Sequence, residues 1–225
     1  MKTISCIIPA YNEASRIRNV LGAVVGHPLL SEIIVVDDGS KDGTKDVVSS
    51  VGGVKLIAKE KNAGKSLALY TGIKESLGEY LMFIDSDLVG LTADNITALI
   101  EPIVSAQADV SISLRRNTPP PWRWIGLDYI SGERVLPKQM MLQHLEEIPK
   151  LRRFGFEVFL NSIIISKKYR IKVVPWINVD SPYKYKKDGL WKGVKVDIKM
   201  LRDIFATVSF FGTIKQIIAM RRQRV

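Results

Sequence analysis

The sequence predicts an α/β protein with a mostly parallel central sheet and helices on both faces. Three observations carry that expectation. Short runs rich in Ile and Val alternate with helical patterns through the first half of the chain. Those runs are apolar throughout rather than alternating, as strands buried on both faces should be. Each run stops at polar or acidic residues, as in an open sheet that binds its ligand outside the carboxyl ends of the strands.

The elements follow in order. "TISCIIPA" is the first strand and ends at Pro9. A helix follows from Glu13, with Ile17, Leu21 and Val24 at spacings of four and three. "EIIVVDDGS" is a strand that stops at Asp37 and Asp38, and "KDGTKDVVSSV" supplies a turn and a short helix. "VKLIA" is the third strand. "NAGKSLALYTGIKESLG" is a helix expected to turn Leu67, Tyr70 and Leu77 to one side. "EYLMFIDSD" is the fourth strand, and "TADNITALIEPIVSA" is a helix with Thr92 as its N-cap. "DVSISL" is the fifth strand, ending at Arg115. A helix over "RRFGFEVFLNSIIIS" and a last strand "YRIKVVPW" come later.

Composition sets bounds. The 225 residues are 46% hydrophobic and 25% charged, which suits one globular domain. The single Cys6 rules out an internal disulfide framework and suits a reducing compartment. Met1 to Ala10 is too short for a signal peptide, and no apolar stretch reaches the ~18 residues of a membrane span. Net charge is +10 and unevenly spread. Residues 1–110 hold 10 Lys/Arg against 14 Asp/Glu, a balance of −4, and residues 111–225 hold 23 against 9, a balance of +14. The second half is therefore expected to face something anionic.

The strand ends bring polar groups to one edge: Tyr11-Asn12-Glu13, Asp37-Asp38, Asp85-Ser86-Asp87 and Arg115. No dinucleotide-type GxGxxG follows the first strand, and Gly64-Lys65-Ser66 lacks the upstream glycine of a P-loop. A rim of carboxylates suits Mg2+ or Mn2+, which bind through few carboxylates plus substrate phosphates. The expected arrangement has the metal between Asp87 and a nucleoside diphosphate, with Asp38 accepting from a base N–H. Blander roles are open too: Asn12 as a helix cap, Asp37 and Asp42 as turn residues, Lys65 as a solvated lysine.

"CIIPAYNE", "IIVVDDGSKDGT", "NAGKSLALYTGI" and "GEYLMFIDSD" together resemble the nucleotide-sugar domain of inverting family-two glycosyltransferases of GT-A fold. The resemblance covers about the first 115 residues. It implies that Pro9, Tyr11 and Glu13 line the nucleoside pocket and that Asp38 contacts the base, with Asn12 and Asp37 also among the residues that bind the nucleotide-sugar. It puts Gly64, Lys65 and Ser86 near the nucleotide-sugar, Asp85 near ribose and metal, and Asp87 as the direct metal ligand.

The later order is similar to the polyprenyl- or dolichyl-phosphate sugar synthases of that superfamily. On that likeness Arg115, Ser131, Gly132, Arg134, Lys186 and Lys187 would bind the acceptor, and Asp87, Arg115 and Glu157 would be catalytic. A polyprenyl phosphate acceptor needs cations and no base, whereas a sugar hydroxyl would need a carboxylate such as Glu157. Glu157 is also readable as a helix residue paired with Arg152 or Arg153. Residues 1–115 thus read as the donor half, 116–193 as the acceptor side and 194–225 as a basic amphipathic segment of a single domain.

In that last segment Ile198, Leu201, Phe205 and Val208 repeat at helical spacing among basic residues. Such a segment can lie on an anionic membrane, pack on the sheet or pair with another subunit. The expected placement is peripheral, at the cytoplasmic face. Nucleic acid is not expected as a partner, because it would leave the acidic strand ends unexplained. A sugar-1-phosphate nucleotidyltransferase should open with a Gly-rich, Arg-containing loop, and "PAYNEASRIR" is not one.

Overall fold

The computed structural model describes residues 2–151, 155–182 and 208–225. Seven strands form one sheet in the order β3-β2-β1-β4-β6-β5-β7. They are β1 (Ile4–Ala10), β2 (Glu32–Asp37), β3 (Lys55–Ala58), β4 (Tyr80–Phe83), β5 (Val110–Arg115), β6 (Arg134–Pro137) and β7 (Ile171–Trp176). β1 runs parallel to β2 and β4, and β5 parallel to β7. The chain winds outward from β1 to β3 and then returns to place β4 on the other side of β1. That reversal opens a crevice at the carboxyl ends of β1 and β4, where open α/β sheets bind ligands.

β6 departs from the expected pattern. It runs antiparallel to both β4 and β5 and separates them. A strand of only four residues that opens on an arginine and closes on a proline carries no periodicity, so "RVLP" was not expected as a strand.

Both faces of the sheet are covered. Ile4, Cys6 and Ile8 of β1 pack with α1 (Ile17–Val24) and α4 (Ala93–Val104). Ile7, one residue out of phase, packs with α3 (Lys65–Glu75) and α7 (Gly155–Ser166). Burial of the Cys6 thiol raises its pKa well above the ordinary range, so it is a core residue. Thr92 caps α4 as expected. Its hydroxyl accepts from the Asn95 amide, and its own amide donates to Asn95 Oδ1 at 3.0 Å.

The buried face of α3 is not the expected one. Ala68, Leu69, Gly72 and Ile73 face the sheet, while Leu77 lies past the helix end at 87% exposure. The small residues decide this. A Cβ on Gly72 would sit 2.5 Å from Ile7 Cγ2, so the glycine lets the helix close on β1.

The remaining α-helices among the described residues are α2 (Thr44–Ser49), α5 (Pro120–Ile125), α6 (Lys138–Leu142) and α8 (Phe210–Arg222). α8 buries Thr213 and Met220 against the fold, and the Ile171 amide beyond it donates to Gln223 O at 2.9 Å. The end of the chain therefore packs on the β7 edge. Ile198, Leu201 and Phe205 lie outside the described residues, and Val208 is half-buried. No described helix is long and apolar enough to cross a membrane.

Candidate active site

A pocket of about 620 Å³ opens at the carboxyl edge of β1 and β4, a volume typical of small-molecule sites. Pro9, Tyr11 and Glu13 form one wall, Asp38, Gly64 and Lys65 another, and Asp85, Ser86, Asp87, Arg115 and Glu157 complete it. Eleven residues singled out from the sequence thus meet in one place, drawn from the ends of four strands and the starts of two helices.

Lys65 lies at the centre. Its Nζ is 2.7 Å from Asp85 Oδ1 and 2.9 Å from Glu157 Oε1. Burial disfavours the ammonium, but the two carboxylates outweigh burial and hold its pKa above the ordinary lysine value. Lys65 is therefore a charged, ion-paired lysine rather than a freely solvated one. Glu157 has 4% of its side chain exposed, and its Oε2 accepts no hydrogen bond among the described residues. Its described partner is Lys65; Arg152 and Arg153 lie outside the described residues.

Arg115 reaches the rim from β5 on a buried support. Its Nη1 donates to Glu133 Oε1 at 3.0 Å and its Nη2 to Asp128 Oδ2 at 3.3 Å. Burial alone would lower its pKa, but Glu133, Asp128, Asp85 and Asp87 raise it, so it stays cationic. Burial pushes the Glu133 carboxyl up, against the pull of Arg115 and of hydrogen bonds from Ser113 and Ser131. Arg115 Nε makes no hydrogen bond among the described residues.

Four expected site residues stand behind the wall instead. Asp37 is buried and accepts from the Ser40 amide and hydroxyl, so it shapes the turn after β2. Asn12 has φ 56° and accepts from the Lys41 amide at 2.9 Å, tying the loop after β1 to the loop after β2. It does not cap α1, which starts at Ile17. Ser131 is fully buried and bonded to Ser113 and Glu133. Arg134 is also fully buried, and its guanidinium donates to Ser131 O, Asn161 Oδ1 and Tyr129 O. It pins the chain over 129–131 and does not line the pocket.

Gly132 touches the site in another way. A Cβ there would lie 2.8 Å from Asp85 Oδ1 and 2.9 Å from Lys65 Nζ, so the glycine leaves room for their ion pair. Asp38 borders the pocket, yet its oxygens already accept from Lys59 Nζ and the Ala63 and Gly64 amides. It anchors the loop ahead of α3. Lys186 and Lys187 lie outside the described residues.

Sequence reasoning missed the rim formed by Asn62, Asn117, Ile130, Ser181 and Pro182. Asn117 Oδ1 accepts from the Ser181 amide at 3.1 Å and its Nδ2 donates to Ser181 O at 2.6 Å. An antiparallel bridge between Val89 and Asp180 ties the same loop to the segment after Asp87. These pairings join segments far apart in the chain and leave no local signal.

The donor set bears on a metal. Around Lys65 and Arg115 stand Asp85, Asp87 and Glu157, while Arg115 is already matched by Glu133 and Asp128. The pocket thus carries an excess of negative charge. No group of three His, Cys, Asp or Glu positioned to hold an ion occurs among the described residues. A hard cation that takes one or two carboxylates and fills its shell with substrate phosphate fits both facts.

A carboxylate-rimmed pocket at the carboxyl edge of a mostly parallel sheet marks an α/β protein that binds a small ligand there. The chain belongs to glycosyl transferase family 2, whose family model matches residues 5–167. A glycosyltransferase of Haloferax volcanii is 36% identical over 91 residues, which is 37% of this chain and 30% of that protein. A dolichyl-phosphate beta-glucosyltransferase of Trichomonas vaginalis is 29% identical over 150 residues, 55% of this chain and 44% of that protein. The chain therefore matches less than half the length of either relative. Glucosyl-3-phosphoglycerate synthase from Mycobacterium tuberculosis has a similar structure in complex with Mn2+, uridine-diphosphate-glucose and phosphoglyceric acid. Its TM-score is 0.69 at 19% identity, over 92% of this chain and 79% of that one, a likeness of fold.

Proposed function

We propose that this chain transfers a sugar, with inversion, from a nucleoside diphosphate sugar to a polyprenyl phosphate at an anionic membrane surface. The observation that carries the donor half is the Lys65–Asp85–Glu157 cluster beside Asp87 in a pocket of nucleotide-sugar size. Asp87, with Asp85, would hold Mg2+ or Mn2+ together with the donor's phosphates. When bound, that ion offsets the charge that grows on the departing diphosphate. Lys65 stays charged between its two carboxylates and would meet a donor oxygen from the pocket wall. Tyr11 and Pro9 give the nucleoside an apolar wall.

The acceptor half rests on chemistry and charge. A phosphate is ionised at neutral pH and attacks without a base, so the protein must supply cations rather than a proton acceptor. Arg115, held cationic at the rim of the pocket, suits a phosphate oxygen. The +14 balance of residues 111–225 draws an anionic acceptor and an anionic surface to the same side. The relative that acts on dolichyl phosphate and the fold neighbour holding phosphoglyceric acid support a phosphate-bearing acceptor.

A second reading is favoured by one observation: Glu157 Oε2 lacks a hydrogen-bond donor. A buried, uncommitted carboxylate oxygen is what a hydroxyl acceptor needs as a base. A panel of nucleoside diphosphate sugars with Mn2+, assayed for diphosphate release with and without polyprenyl phosphate, separates the readings. Release that rises only with polyprenyl phosphate supports the first. Turnover with a glycan hydroxyl and none with the lipid phosphate overturns it.

A further inference from the structure

The structure assigns α8 a seat on an anionic bilayer, through the face it turns away from the fold. That helix has two sides. Thr213 and Met220 are buried, whereas Phe211 is 75%, Ile214 40% and Ile218 47% exposed. The exposed three follow at spacings of three and four, so they share one face. Lys215, Arg221 and Arg222 are exposed on the same helix. At 3.6 residues per turn, Lys215 and Arg222 fall on one flank of the apolar stripe and Arg221 on the other. An apolar centre with basic flanks is the pattern of a helix lying in the headgroup region of an anionic membrane.

Charge selects this occupant over a second copy. Residues 208–225 contain no Asp or Glu. Pairing α8 with itself about a two-fold axis would bring the same cations together with no carboxylate of the helix to meet them. Anionic lipid offers apolar tails to Phe211, Ile214 and Ile218 and phosphates to the basic flanks. The contribution of each cation falls as salt screens it, while the apolar part persists.

The helix is also anchored to the catalytic side. Gln216 Nε2 donates to Ser162 Oγ at 2.7 Å, and Gln223 Nε2 donates to Ile165 O at 3.2 Å. Gln223, which caps α8, meets the later residue of α7, which directs the Phe211 end toward the first turn of α7, where Glu157 meets Lys65. Tyr129 OH donates to Gln216 Oε1, and the next residue, Ile130, lines the pocket. A lipid phosphate held at the headgroup plane would thus enter from the α8 side; this last step rests on the proposed acceptor, whereas bilayer seating does not.

The full-length protein is sedimented with phosphatidylcholine vesicles, with and without phosphatidylglycerol, across a salt series. We expect anionic vesicles to bind it and neutral ones to bind it at least about tenfold more weakly. Lys215→Gln with Arg222→Gln should weaken binding at low salt by about twenty-fivefold, at roughly fivefold per cation. Phe211→Ser, at a site too exposed to matter for folding, should remove much of the binding that survives high salt. Wild-type binding by both variants overturns the assignment, as does a dimer in sedimentation velocity that Phe211→Ser dissolves. Transfer to a short, water-soluble prenyl phosphate is measured in parallel. If the variants keep that activity but lose vesicle binding, the seat is supported. If wild-type protein binds vesicles yet never uses the short phosphate, the acceptor reading fails and the seat stands.

Discussion

Replacing Gly132 with alanine should slow catalysis far more than it unfolds the protein. The added methyl would lie 2.8 and 2.9 Å from the two Asp85 oxygens and 2.9 Å from Lys65 Nζ. Ordinary contact begins at 3.4 Å, so the Asp85 carboxylate must retreat by 3.4 − 2.8, about 0.6 Å. Both neighbours are side-chain ends and can move, and Gly132 is not among the positive-φ glycines, so the backbone accepts alanine. The fold therefore loses about 1 kcal/mol or less, the scale of a partly exposed ion pair. Catalysis is less forgiving, because a misplacement of about 1 Å can cost about a hundredfold. We expect sugar transfer to fall by roughly tenfold to a hundredfold, about 1.4 to 2.7 kcal/mol in barrier. The assay is initial-rate diphosphate release at saturating Mn2+, with a thermal melt of the same sample. Wild-type turnover by Gly132→Ala would refute the claim that the Lys65–Asp85 geometry serves the reaction.

Three further outcomes follow from the same geometry. Asp87→Asn keeps the volume and removes the charge, so transfer should collapse in limiting Mn2+ while circular dichroism stays native; an unchanged rate contradicts the metal role. Glu157→Gln should cost less than about tenfold if the acceptor is a phosphate, and a loss beyond about a hundredfold with the fold intact points to a general base. Gly72→Ala forces a methyl to within 2.5 Å of Ile7 Cγ2 and should destabilise by about 1 to 3 kcal/mol in urea unfolding. An unchanged midpoint would mean that α3 and β1 have slack.

Much of the donor side was legible because its signals are local. A buried parallel strand shows as an unbroken apolar run, and its polar end marks the ligand edge, so Tyr11, Asp38, Asp85 and Asp87 were placed together from their positions alone. The same logic over-reached by one residue at Asn12 and Asp37. Where a strand ends, successive side chains point to opposite sides, and the sequence does not say which one faces the crevice. For α3, a helical count of large residues favoured Leu67, Tyr70 and Leu77. Burial instead followed the small residues that let the helix approach β1.

The acceptor side was hardly legible, and the reason is long-range pairing. β6 is too short to show a period and is held only by its neighbours β4 and β5. Arg134 was expected among the acceptor-binding residues on the likeness to the polyprenyl-phosphate sugar synthases. Its burial is sustained by two carbonyls and Asn161, all brought to it by other segments. By itself, then, the sequence determined the α/β class, the ligand edge and the charge asymmetry, since each follows from residue order and composition. Only the tertiary structure decided which carboxylate grips Lys65, what supports Arg115 and which face of α8 is free of the core. Those outcomes depend on contacts between residues far apart in the chain, and such contacts exist only once the sheet has formed.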